Sequence, residues 1–114
     1  DPNAVACALW PQAVLTMDSA FYLHGLTDVV PEHVHVATPR NATRIREPWA
    51  RQHFMEARLM GTGVREGPSG DGTVRTFSRE RMLVELLRSA VVAHVGKAEQ
   101  SDDLTIMCLE LVLS

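Results

Sequence analysis

At 114 residues the chain is sized for one domain, and 46% hydrophobic with 22% charged residues excludes a disordered chain. No apolar run approaches the roughly 20 residues of a membrane-spanning helix, and two cysteines, Cys7 and Cys108, make neither a disulfide framework nor a zinc spacing, so both are expected as reduced thiols of a cytoplasmic protein. The net charge of −3 argues against a generic nucleic-acid binder, but it is unevenly spread: residues 1–36 carry −4, residues 37–94 carry +4 with all ten arginines, and the remainder carries −3.

The opening stretch from Asp1 to Trp10 is alanine-rich, with Pro2 near its start and Pro11 at its end, which predicts a short helix. Val14 and Leu15 give a short extended piece. Thr16 or Asp18 then caps a helix running to about His24, stopped by Gly25. His33 to Thr38 alternates with period two and predicts a strand with Val34 and Val36 inward. Pro39 to Pro48 reads as a polar, arginine-rich loop, and a second strand is expected from Arg51. Gly61–Arg65 and Thr73–Phe77 flank a turn-rich stretch, Gly67–Gly72, and should pair as an antiparallel hairpin.

Ser78 is a natural N-cap for the clearest helix, which ends at Gly96. Its rows Met82–Leu86–Ala90 and Leu83–Leu87–Val91 predict one apolar stripe. The tail from Ser101 to Leu113 fits a helix opened by Asp102 and Asp103, or a strand through its Leu-Thr-Ile stretch, with helix preferred. These elements predict an α+β fold: a single domain with a small, mainly antiparallel sheet packed by two or three helices.

Chemistry-bearing patterns are few. His33 and His35, two apart, share one strand face and could hold a metal if His24 or His53 joined them, although half-exposed strand residues explain the pair more simply, and no metal or cofactor is expected. Glu80 and Glu85 lie on different helix faces, and no serine sits in a nucleophile-elbow sequence. The glycines of 67–72 lack the lysine of a phosphate loop. The arginines remain. Arg40, Arg44 and Arg46 sit in the proline-bounded loop, and Arg79 and Arg81 in the first turn of the long helix, where cations oppose the helix dipole at a cost of about 0.3–1 kcal/mol each unless paired. They are the candidate contact surface for an acidic protein or a nucleic-acid backbone.

Four stretches taken in order carry a family resemblance. Asp18–Asp28, containing Ser19-Ala20, His24-Gly25-Leu26 and followed by Pro31, is similar to the Ser-Ala-x-x-x-His-Gly-Leu segment of AbiEi antitoxins, from type IV abortive-infection toxin-antitoxin systems. His33–Arg40 resembles that family's strand ending in Pro-Arg, Gly61 its mid-domain glycine, and Thr76–Arg88 its Tyr-Ser-x-Glu-Arg helix, with Glu85 where the family has Asp and Met82 where it has Thr. The match runs from about residue 9 to residue 92. It implies the C-terminal effector region of a transcriptional regulator that counteracts a nucleotidyltransferase-like toxin without a lasting complex. In the family an N-terminal winged helix-turn-helix reads the operator DNA, and nothing before Ser19 fits one, so this chain reads as a fragment of a longer regulator. Carried over by position, Ser19, His24, Gly25 and Glu85 imply scaffold roles, with Glu85 spaced to pair with Arg81. No catalytic residue is expected. The rival readings are a metal-dependent nuclease-like domain and a structural dimerisation module.

Overall fold

The chain folds into a five-stranded sheet with helices on both faces, in a computed structural model that describes residues 1–70 and 72–95, with side chains as far as Ser89. Helix α1 (Pro2–Leu9) is capped by the Asp1 carboxylate, which accepts from Asn3 N at 2.9 Å. Then come β1 (Val14–Leu15), α2 (Met17–Leu23), β2 (Val34–Pro39), β3 (Ala50–Met55), the single turn α3 (Ala57–Met60), β4 (Val64–Ser69), β5 (Gly72–Phe77) and α4 (Arg79–Val95). The strand order is β3-β2-β1-β5-β4. The fold is α+β, as the patterns predict, and its sheet is mixed: β1–β2 and β4–β5 are antiparallel, whereas β2–β3 and β1–β5 are parallel.

Burial follows the strand period. Leu15, Val34, Val36 and Val74 pack with Ala6 and Cys7 of α1 on one face, while Val14, Ala37 and Phe77 pack with Ala20 of α2 and Met82 of α4 on the other. The two residues of β1 are thus split between the two cores, which is why both must be apolar; burying Leu15 fully contributes about 1.5–3 kcal/mol. Cys7 is a buried free thiol.

Backbone chemistry sets the joints. Met17 takes a φ of +48° where the chain turns from β1 into α2. At the other end of α2, Leu26 N donates to Phe21 O at 2.8 Å and Gly25 N to Tyr22 O at 3.1 Å, a Schellman closure that Gly25 makes possible with a φ of +70°. Ser78 caps α4, its Oγ accepting from Arg81 N at 3.1 Å.

Several local expectations are corrected. The hairpin strands run further than the glycines suggested, pairing through Pro68↔Thr73 to Ser69↔Gly72, because β4 is an edge strand on which a proline interrupts no ladder. The turn α3 lies where only strand and glycine signals were read. The expected apolar stripe of α4 is rotated: Met82 is buried, but Leu83, Leu86 and Leu87 are 46%, 45% and 57% exposed, and Arg81, Val84 and Glu85 face inward instead. The preferred tail helix from Ser101 and the thiol of Cys108 lie outside the described residues.

Candidate functional site

The parallel register of β2 and β3 sets His35 beside Arg51 and Ala37 beside His53. Side chains two apart share a face, so His33 and His35 stand over the same patch as Arg51 and His53. His35 Nδ1 lies 2.9 Å from His53 Nε2, with the rings stacked at 5.2 Å between centroids. One nitrogen donates and the other accepts, so the contact holds a single proton between them. Arg51 Nη2 donates to His33 Nε2 at 2.9 Å, and Arg51 Nη1 also donates to the Pro48 and Ala50 carbonyls. Asp18, in the first turn of α2, puts Oδ2 3.9 Å from His35 Nε2. Among the described residues no group of three or more His, Cys, Asp or Glu could hold a metal ion.

Both imidazoles are pushed below their ordinary value. For His35 burial is the main cause, opposed by Asp18 and aided by His33 and Arg51; for His53 it is burial, then the His35 charge, opposed by Asp18. Both rings are therefore held neutral, and the sign of the pH effect follows. In the window from the unfolded value of 6.5 down to the lowered folded values, the unfolded chain binds more protons, so stability is fully present above 6.5 and falls as the pH drops through the window. Urea titrations over that range should show the loss for the native chain and a flatter profile for His35→Asn/His53→Asn. An equally steep profile in the double variant would assign the acid sensitivity elsewhere.

Arg51 also joins a second feature on the same strand. A cleft of about 510 Å³ is lined by Arg44, Ile45 and Arg46 of the 40–49 loop and by Arg51, Gln52 and Phe54 of β3. The loop is tied to the strand through Gln52: Oε1 accepts from Ile45 N at 2.7 Å, and Nε2 donates to Thr38 Oγ1 at 2.8 Å and Thr43 O at 3.1 Å. Three guanidinium-bearing residues face this cleft against one carboxylate, Glu47. It is a preformed basic pocket, suited to anions that accept planar forked hydrogen bonds.

The sequence-level candidates separate into three groups. Arg40, Arg44 and Arg46 are exposed, Arg40 just after β2 and the other two on the cleft. Arg79 is exposed but committed, Nη1 donating to His24 O at 2.9 Å; a cation ill placed for α4 is well placed at the C-terminal end of α2. Arg81 is a correction. It is 0% exposed, its Nη1 donating to Leu59 O and Thr62 O at 2.7 Å each and its Nε to Glu85 Oε1 at 3.4 Å, with the guanidinium 4.1 Å from the Phe77 ring centre. Every one of these partners is internal, so Arg81 cannot belong to a contact surface.

The scaffold residues are knitted together. Ser19 Oγ accepts from His35 N at 2.9 Å and donates to His33 O at 3.4 Å, so it fastens α2 to the start of β2. His24 Nε2 donates to Phe77 O at 2.7 Å, fastening the other end of α2 to β5. Glu85 accepts from both Arg81 and Arg88. Sequence reasoning missed Arg51 and Asp18 at this site, and named His53 only as a conditional metal partner of His33 and His35. The available signal was that Arg51/His53 repeats the two-residue spacing of His33/His35, but only the parallel register brings the pairs together.

No family model and no curated protein matches the chain. Among the described residues no helix is long and apolar enough to cross a membrane.

Proposed function

We propose that the chain is the effector domain of an AbiEi-type antitoxin, which counteracts a nucleotidyltransferase-like toxin in the cytoplasm and works by binding. The observation that carries the reading is the ordered set of resembling stretches, whose residues meet in one structural unit. Ser19 and His24 bolt α2 to β2 and β5, Arg79 reaches back to His24 O, and the Arg81–Glu85 pair seats α4. A signature built from such residues reports a scaffold, so the working surface must be sought beside it. The basic cleft is the strongest choice, since Arg44, Arg46 and Arg51 offer charge complementarity to an acidic partner, and such charges speed encounter more than they prolong a complex.

The test is growth rescue. The chain is co-expressed with the product of the neighbouring reading frame, which this reading expects to be a nucleotidyltransferase, and colony counts under toxin induction are compared with those of Arg44→Glu/Arg46→Glu. Rescue by the native chain, reduced by about tenfold or more in the double variant, is the expected result. Failure of the native chain to rescue would remove the antitoxin reading. Cleavage of DNA by the purified chain with magnesium or manganese would replace it with the nuclease reading.

A further inference from the structure

We infer that the outer edge of β3 is a strand-addition site for an extended acidic segment of a partner protein. The inference deepens the antitoxin reading and rests on it only for the partner's identity, the toxin; the mode of docking stands on geometry.

Among the described residues β3 pairs with β2 alone. Trp49 O accepts from Val34 N at 2.9 Å, which sets the phase of the ladder. Arg51 and His53 then direct their backbone N–H and C=O groups toward β2, and the backbone groups of Gln52 and Phe54 point outward. Ala50 N is already occupied, donating to Glu47 O at 3.2 Å, but no described residue meets the outward groups of Gln52 and Phe54. They are spaced by about 6.6 Å, the repeat at which alternate residues of an incoming strand present their own backbone groups.

The two edges of the sheet differ. On β4 the edge carries Pro68, a residue that blunts strand pairing, while β3 contains neither proline nor lysine. The cleft is lined by Gln52 and Phe54 of this edge strand, and the Gln52 side chain fixes the opposite loop at Ile45 and Thr43. Arg44 and Arg46 on that loop, with Arg51 on the strand, select negative charge, and Phe54, 39% exposed, offers an apolar contact. A polypeptide satisfies all of these features together, because only another backbone complements a row of alternating donors and acceptors. A nucleic acid would satisfy the guanidiniums and leave the row unpaired.

The probes are a blocked hexapeptide of alternating glutamate and valine, its lysine–valine counterpart, and two N-methylated forms of the acidic peptide, one methylated at the glutamates and one at the valines. Amide NMR of the 114-residue chain should show the acidic peptide shifting Arg44, Arg46, Gln52 and Phe54, and slowing exchange of the Gln52 and Phe54 amides by about tenfold or more. One N-methylated form should lose binding and the other keep it. Equal binding by both methylated forms, equal binding by the lysine peptide, or the same shifts produced by a DNA oligonucleotide instead of the peptide would overturn strand addition. Growth rescue that depends on Arg44 and Arg46 while no acidic peptide binds would overturn it too, leaving the antitoxin reading in place. The expected peptide pattern without growth rescue would support strand addition and remove the toxin as its partner.

Discussion

Replacing Arg81 by methionine should destabilise the domain by about 3–5 kcal/mol, the range for breaking a buried charge pair by removing one partner. Methionine matches the length of the arginine stem and supplies no donor. Four acceptors then lose a partner: the carbonyls of Leu59 and Thr62, the Met55 sulfur, and one oxygen of Glu85, which keeps Arg88 as its remaining cation. The carbonyls matter most. Leu59 and Thr62 lie at the end of the single turn α3, where helix carbonyls have no intrahelical donor, and Arg81 reaches them from α4. A second variant separates the ion pair from this capping. If the pair were the whole effect, Arg81→Met/Glu85→Leu would recover most of the loss, as buried pairs replaced by apolar residues often do. We expect the double variant to recover little, since both carbonyls stay orphaned. Urea unfolding of the two variants against the native chain measures the difference, and an unchanged midpoint for Arg81→Met would contradict the capping role. With a total stability of about 5–15 kcal/mol for a domain of this kind, a loss at the upper end would leave the single variant largely unfolded.

The same residue shows where sequence reading stops. The i, i+4 spacing of Arg81 and Glu85 made an ion pair readable, and the pair is present at 3.4 Å. Its burial was not readable. On α4 two adjacent rows could have faced the sheet, and hydrophobicity favoured Leu83 and Leu87. The helix instead turns inward the row holding Arg81 and Glu85, because five guanidinium donors find ready-made acceptors only in the interior, beside α3. No local pattern announces those acceptors, since α3 itself is four residues of unremarkable sequence. Period-two alternation did reveal β2, where valine and histidine take opposite faces, and Gly25 marked the end of α2, where a positive φ is needed. What alternation leaves open is which strand lies alongside and in which direction. Antiparallel pairing is readable from a hairpin turn, as between β4 and β5, but β2 and β3 are joined by a loop that crosses back and sets them parallel. The His35–His53 contact and the position of Arg51 both depend on that crossing, so the candidate site became visible only with the register.

Arg75 should be the second residue whose loss is strongly felt. It lies on β5, away from the arginines singled out as a contact surface, and its guanidinium gathers three carbonyls: Nη2 donates to Cys7 O at 2.9 Å and Trp10 O at 3.0 Å, and Nε to Ala13 O at 3.2 Å. Those acceptors span the end of α1 and the turn into β1, so one side chain closes the helix and fixes its exit. The Arg75 backbone reinforces the join, N donating to Cys7 Sγ at 3.4 Å. Arg75→Ala should cost about 2–4 kcal/mol, less than three full charge-assisted hydrogen bonds because the region is only partly buried and water can reach some of the freed carbonyls. Arg75→Lys should recover only part of the loss, since a single ammonium on a flexible stem cannot span three acceptors as a planar fork does. The readout that distinguishes this role from general weakening is local. Hydrogen exchange at the α1 amides should accelerate before that of β2 and β3, as the end of the helix opens ahead of global unfolding. Uniform acceleration across α1, β2 and β3 would mean instead that Arg75 supports the fold as a whole and that α1 does not open separately.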